Sequence, residues 1–184
     1  FSYKEVNMKK ILLTLSMTAL LLFTAGCSCP FSDKTADSKS QISTAKASSA
    51  EVAPDFSYKE LGSGKTMRLS DLKGKPVFIN FWATWCPPCV GELPHIEKKY
   101  AEYKDKMHFV ILSVDDNEQE PARFIKSKGY TFPAAYGDHQ ALGRAYGIDA
   151  IPASYIISAD GHIIARIVGS MNESSLDAFL QKAF

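Results

Sequence analysis

Two cysteines separated by two prolines, Cys86-Pro87-Pro88-Cys89, are the residues of this chain best suited to chemistry. A disulfide between them would close a loop of only two intervening residues. Such a loop removes little entropy from the unfolded chain, so the bond adds little stability and is better suited to being made and broken. Cys27 and Cys29 form a second close pair near the start. A lone CxxC is also half of a zinc site, yet no second CxxC and no HxxxH follows at ligand spacing. The four histidines, His95, His108, His139 and His162, are scattered and none adjoins Cys86, so they read as structural or surface residues. No metal and no cofactor is expected.

The elements around the pair supply the mechanism. Residues 76–82 (PVFINFW) are a near-continuous apolar run, as in a strand buried on both faces. After the cysteines, Leu93, Ile96, Tyr100 and Tyr103 recur at helical spacing, with Glu97, Lys98, Glu102 and Lys104 on the other side. Cys86 therefore falls where a strand hands over to a helix. Backbone N–H groups lack partners there and the helix dipole is positive, which stabilises a thiolate. Pro87 suits the first helical turn, whereas Pro88 withdraws a donor that could have faced the Cys86 sulfur. The thiol should therefore be acidified only modestly.

Residues 107–114 (MHFVILSV) read as a second buried strand, so strand–helix–strand implies parallel pairing. A short turn is expected at Ser70-Asp71-Leu72, and helices over residues 118–128, stopped at Gly129, and 139–146. Residues 153–157 and 162–168 should form an antiparallel hairpin around Asp160-Gly161, and Asn172 should cap a last helix carrying Leu176, Phe179 and Leu180.

The first quarter of the chain differs in kind. Lys9 and Lys10 precede an apolar run over residues 11–25, which as a helix reaches roughly 22 Å, short of the ~30 Å hydrocarbon core. A charged front, a short apolar middle and small residues before a cut make a secretory signal. Thr24-Ala25-Gly26-Cys27 resembles the lipobox of bacterial lipoproteins, with threonine where leucine is usual, which implies lipidation of Cys27. Residues 28–54 hold nine serines and threonines and few large apolar side chains, too little to offset the entropy of ordering. The expected organisation is upstream residues and signal over 1–26, a lipid-anchored flexible tether over 27–54, and one folded domain over 55–184. The net charge of +1 with no basic stripe gives no reason to expect nucleic acid as a partner.

The stretch LSDLKGKPVFINFWATWCPPCVGELP resembles the TlpA/ResA/CcmG-like branch of the thioredoxin superfamily, and the likeness runs over residues 54–184. The resemblance implies an α/β, thioredoxin-like fold, a central mixed β-sheet flanked by helices. It makes Cys86 the exposed nucleophile and Cys89 the buried resolving thiol of a redox disulfide. Trp85 becomes the aromatic beside them, Pro87 and Pro88 part of the substrate-facing motif, and Pro94 the proline of the active-site helix. Ile151-Pro152 matches the cis-proline dipeptide that presents backbone to substrate, although spacing alone would make Pro152 a trans proline opening an edge strand. Gly169 matches the loop that completes the docking rim.

Two positions depart from thioredoxin proper. Asn80 stands where a buried aspartate would accept the proton of the resolving thiol, and it cannot titrate. Members of the branch often carry an acid just after the second buried strand, which makes Asp116 the candidate, with Asp115 beside it; the plain reading of DDNEQE is a solvated acidic loop. Glu92, three residues after Cys89, matches a motif residue of the family, and its ordinary reading is a first-turn carboxylate on an exposed face. The implied activity is dithiol–disulfide exchange on protein partners outside the cytoplasm, in the reducing direction, often in cytochrome c maturation, fed by a transmembrane electron carrier. An oxidant or isomerase would use the same cysteines. A peroxidase would want Thr or Ser where Ala83 stands. A metal carrier would use the CxxC or the Cys27–Cys29 pair.

Overall fold

The computed structural model describes residues 51–184. Cys27, Cys29, the signal-like segment and most of the expected tether lie outside the described residues. In chain order the domain forms β1 (Ser57–Glu60), β2 (Thr66–Arg68), β3 (Val77–Trp82), α1 (Pro87–Tyr103), β4 (His108–Ser113) and α2 (Gln119–Lys128). It continues through β5 (Ala134–Tyr136), α3 (His139–Tyr146), β6 (Ala153–Ile157), β7 (Ile163–Val168) and α4 (Glu173–Leu180).

The strands make one mixed sheet in the order β2-β1-β5-β4-β3-β6-β7. β3 lies parallel to β4 and antiparallel to β6, and each of its six residues is buried. Period-two alternation explains that burial. Phe78 and Trp82 face the side covered by α1, α2 and α4, where they join Leu93, Ile96 and Leu176. Val77, Ile79 and Phe81 face the other side, packing with Leu142 and Tyr146 of α3. An apolar run without a polar face therefore meant two covered faces.

The helix ends follow local chemistry. Asp138 caps α3 by accepting from the N–H groups of Gln140 and Ala141, and Asn172 caps α4 through Ser175 N–H. Gly147 ends α3 at φ 60°, a left-handed conformation that glycine adopts without steric cost, and turns the chain towards Ile151. The expected turn, helices and hairpin are all present. β1, β2 and β5, strands of three or four residues, are too short to show a period in the sequence.

The tether was expected to run to Pro54, but its last residues are tied to the sheet. Ile163 N–H donates to the Glu51 carbonyl at 2.7 Å, Ala53 N–H to Gly161 at 2.9 Å, and the Tyr146 hydroxyl to the Pro54 carbonyl at 2.8 Å. Composition shows that such a stretch cannot build a core of its own. It does not show whether its end can borrow the edge of another strand.

Candidate active site

Three residues after β3 ends, the chain enters α1 through Cys86, whose extended backbone (φ −101°, ψ 100°) makes it the N-cap. Its Sγ accepts from Cys89 N–H at 3.3 Å. Pro87 and Pro88 fill the first two helical positions and bring no N–H, so Cys89 supplies the one backbone donor recorded on that sulfur. Cys86 and Cys89 are joined as a disulfide. Of the two, Cys86 keeps 5% of its surface and Cys89 none.

The chain brings the partner-facing residues expected from the sequence to this point. Trp85 stands 64% exposed beside the disulfide, and Pro87 and Pro88 are exposed with it. An exposed tryptophan offers a large rigid apolar contact at little entropic cost. The Ile151–Pro152 peptide is cis, and the Ile151 carbonyl oxygen lies 3.8 Å from Cys86 Sγ. Gly169, at φ 105°, donates its N–H to the Pro152 carbonyl at 2.8 Å, which places the β7–α4 loop against the cis-proline. Pro94 lies within α1.

Below the disulfide the structure corrects the sequence reading. Glu92, expected on an exposed face, is 1% exposed. Its carboxylate accepts from Asn80 Nδ2 at 3.2 Å and from Met171 N–H at 2.9 Å. Asn80 and Ser154 sit opposite each other in the β3–β6 ladder, and the same Nδ2 donates to Ser154 Oγ at 2.9 Å. Burial pushes the Glu92 carboxyl up to about 7, against the opposing pull of the Met171 and Asn80 donors. A signal for this was in the sequence. Cys89, Glu92, Leu93 and Ile96 are spaced i, i+3, i+4, i+7, which puts Glu92 on the buried stripe.

The two acids after β4 part company. Asp115 is fully buried and accepts from Thr84 N–H at 3.1 Å, Thr84 Oγ1 at 2.6 Å and Ser113 Oγ at 2.7 Å, which anchors the turn leading to Trp85 and Cys86. Asp116, the acid proposed from sequence to serve Cys89, has an exposed side chain, and only its carbonyl is engaged, by the Tyr136 hydroxyl at 3.1 Å. Among the described residues no three His, Cys, Asp or Glu side chains gather in a way that could hold a metal ion.

Comparison with known proteins agrees with this geometry. A family model described as Redoxin matches residues 46–180. The thiol-disulfide oxidoreductase ResA of Bacillus anthracis is 37% identical over 131 residues, covering 71% of this chain and 75% of that one. Among solved structures, a thiol:disulfide interchange protein of the thioredoxin family from Chlorobium tepidum is similar with a TM-score of 0.67 at 29% identity, over 75% of this chain and 99% of that one. The pneumococcal exposed lipoprotein thioredoxin of Streptococcus pneumoniae is similar with a TM-score of 0.62 at 27% identity, over 70% of this chain and 99% of that one.

Proposed function

The chain belongs to the redoxin family as a ResA-like thiol-disulfide oxidoreductase of thioredoxin fold, and from that premise we propose that it reduces disulfides of protein partners outside the cytoplasm. In the reduced protein the Cys86 thiolate attacks one sulfur of the partner disulfide. A Cys86–partner S–S bond forms, the partner's own S–S bond breaks, and its other sulfur leaves as a thiolate and is protonated by water. Cys89 then gives up its proton and attacks the Cys86 sulfur. The Cys86–Cys89 disulfide closes and the second partner thiolate departs. The partner has gained two electrons, and a dithiol donor, proposed to be a transmembrane electron carrier, returns two to Cys86 and Cys89. Glu92, one helical turn beyond Cys89, is the buried group able to exchange a proton with that thiol near neutral pH. Trp85 and the Ile151 backbone receive the partner's extended chain. A place in cytochrome c maturation rests on the resemblance to the TlpA/ResA/CcmG branch.

The observation that carries the reducing direction is the single backbone donor on Cys86. Strong oxidants owe their potential to a well-stabilised thiolate in the reduced form. Here two prolines withhold their N–H groups. Equilibration of the Cys86–Cys89 pair against glutathione should therefore give a potential near thioredoxin's roughly −270 mV, well below the roughly −120 mV of the strong oxidants. A value above about −150 mV would make the protein an oxidant and reject the proposal.

A membrane anchor at Cys27 is supported by the short apolar run, the Thr24-Ala25-Gly26-Cys27 box and the likeness to an exposed lipoprotein thioredoxin. Mass spectrometry of the mature protein should find acyl chains on Cys27, and Cys27→Ala should lose both the acyl mass and sedimentation with membranes. Unmodified Cys27 in mature protein would leave an exported enzyme without this anchor.

A further inference from the structure

A groove of about 490 Å³, lined by Trp85, Ile151, His139 and Asp149 among others, opens beside the disulfide. It continues the docking edge, because Ile151 is the residue whose carbonyl lies against Cys86 Sγ. Val114 contributes apolar surface, and the exposed carboxylates of Asp116 and Asp149 stand on the rim. Among the described residues neither side chain has a hydrogen bond or an ion pair, whereas the nearby Glu118 is matched by Lys59 at 2.8 Å. No lysine or arginine lines the groove. The negative field at this end of the sheet is felt by Tyr136, whose hydroxyl is held above its ordinary value by burial first and then by Asp116, Glu118, Asp115 and Asp138.

We propose that this groove selects partner disulfides with a lysine or arginine beside the reacting cysteine. The inference rests on the exchange reading above and adds the partner's chemistry. An extended chain with its sulfur at Cys86 and its backbone along Ile151 runs past the mouth of the groove. A lysine or arginine side chain matches it, laying its methylene stem against Val114 and Trp85 and placing its charged head between Asp116 and Asp149. Glutamate or aspartate at the same place would meet two uncompensated like charges, which slows encounter and raises the cost of docking.

The test uses the full chain in its reduced form and peptides that each carry one disulfide and differ only in whether lysine, glutamine or glutamate adjoins the reacting cysteine. At low ionic strength the second-order rate for the lysine peptide should exceed that for the glutamate peptide by about tenfold or more. The ratio should shrink towards one at about 0.5 M salt, where screening is short-ranged. The double variant Asp116→Lys with Asp149→Lys should invert the order of the peptides, and Asp149→Asn alone should narrow it. Equal wild-type rates for peptides that are all reduced would overturn the groove's role and leave the exchange reading standing. A preference for lysine that persists in the double variant would place the selectivity elsewhere. Failure to reduce any peptide would reject the exchange reading itself, and the groove's role with it.

Discussion

Cys89→Ser is expected to convert the protein into a trap that accumulates partners joined to Cys86, while Cys86→Ser forms no such adducts and loses turnover. The asymmetry follows from position. Cys86 is the N-cap residue, it retains 5% of its surface, and its sulfur sits against the Ile151 carbonyl; Cys89 is fully enclosed one turn further along α1. A partner sulfur can therefore reach Cys86 first. In the Cys89 variant the first exchange still occurs, but no second thiol lies within reach to release the product. Both substitutions should reduce steady-state turnover by on the order of 10³-fold or more, because nucleophile and resolving group act as one unit. Non-reducing electrophoresis shows the adducts, and timed alkylation of the reduced wild type shows which thiol reacts first. Faster labelling of Cys89, or adducts formed through it, would reverse the assignment.

Acidification should stabilise this domain between neutrality and pH 4.5, and Glu92→Gln should abolish most of that dependence. The Glu92 carboxyl has an ordinary value of 4.5 and stands at about 7 in the folded protein. Between those values the folded state holds a proton that the unfolded state has released, so stability falls as pH rises through the window and the loss is complete above it. At about 1.4 kcal/mol per pH unit the loss is on the order of 3 kcal/mol. Denaturant midpoints from pH 4.5 to 8.5 should show the slope in wild type and its near absence in Glu92→Gln. The same variant should lose the inflection near neutral pH in the rate of the resolving step while Cys86 still alkylates. If the slope persists without Glu92, the proton is held elsewhere in the domain.

Much of this was legible in the chain because it depends on local chemistry. The run PVFINFW could only be a strand covered on both faces, and β3 is one. Cys86 at a strand-to-helix junction predicts the N-cap geometry, and the two prolines predict the single donor on its sulfur. Asn172 and Gly129 mark helix ends by their side-chain or backbone chemistry. The cis peptide before Pro152 was a different matter, since spacing favoured trans and family resemblance favoured cis.

Tertiary structure decided which carboxylates are buried and which meet solvent. Asp115 and Asp116 are adjacent and chemically identical, yet one is fully enclosed and held by Thr84 and Ser113 while the other lines a groove. Glu92 lies on the α1 stripe that packs on the sheet, and its partners come from β3 and from the loop before α4, 12 and 79 residues away. No local pattern announces a bond at that separation. The sequence alone determined the reactive pair, the helix dipole beneath it and the strand that delivers it. Only the packed sheet could determine which acid is stripped of water, because desolvation belongs to the neighbours a fold supplies and not to the residue that suffers it.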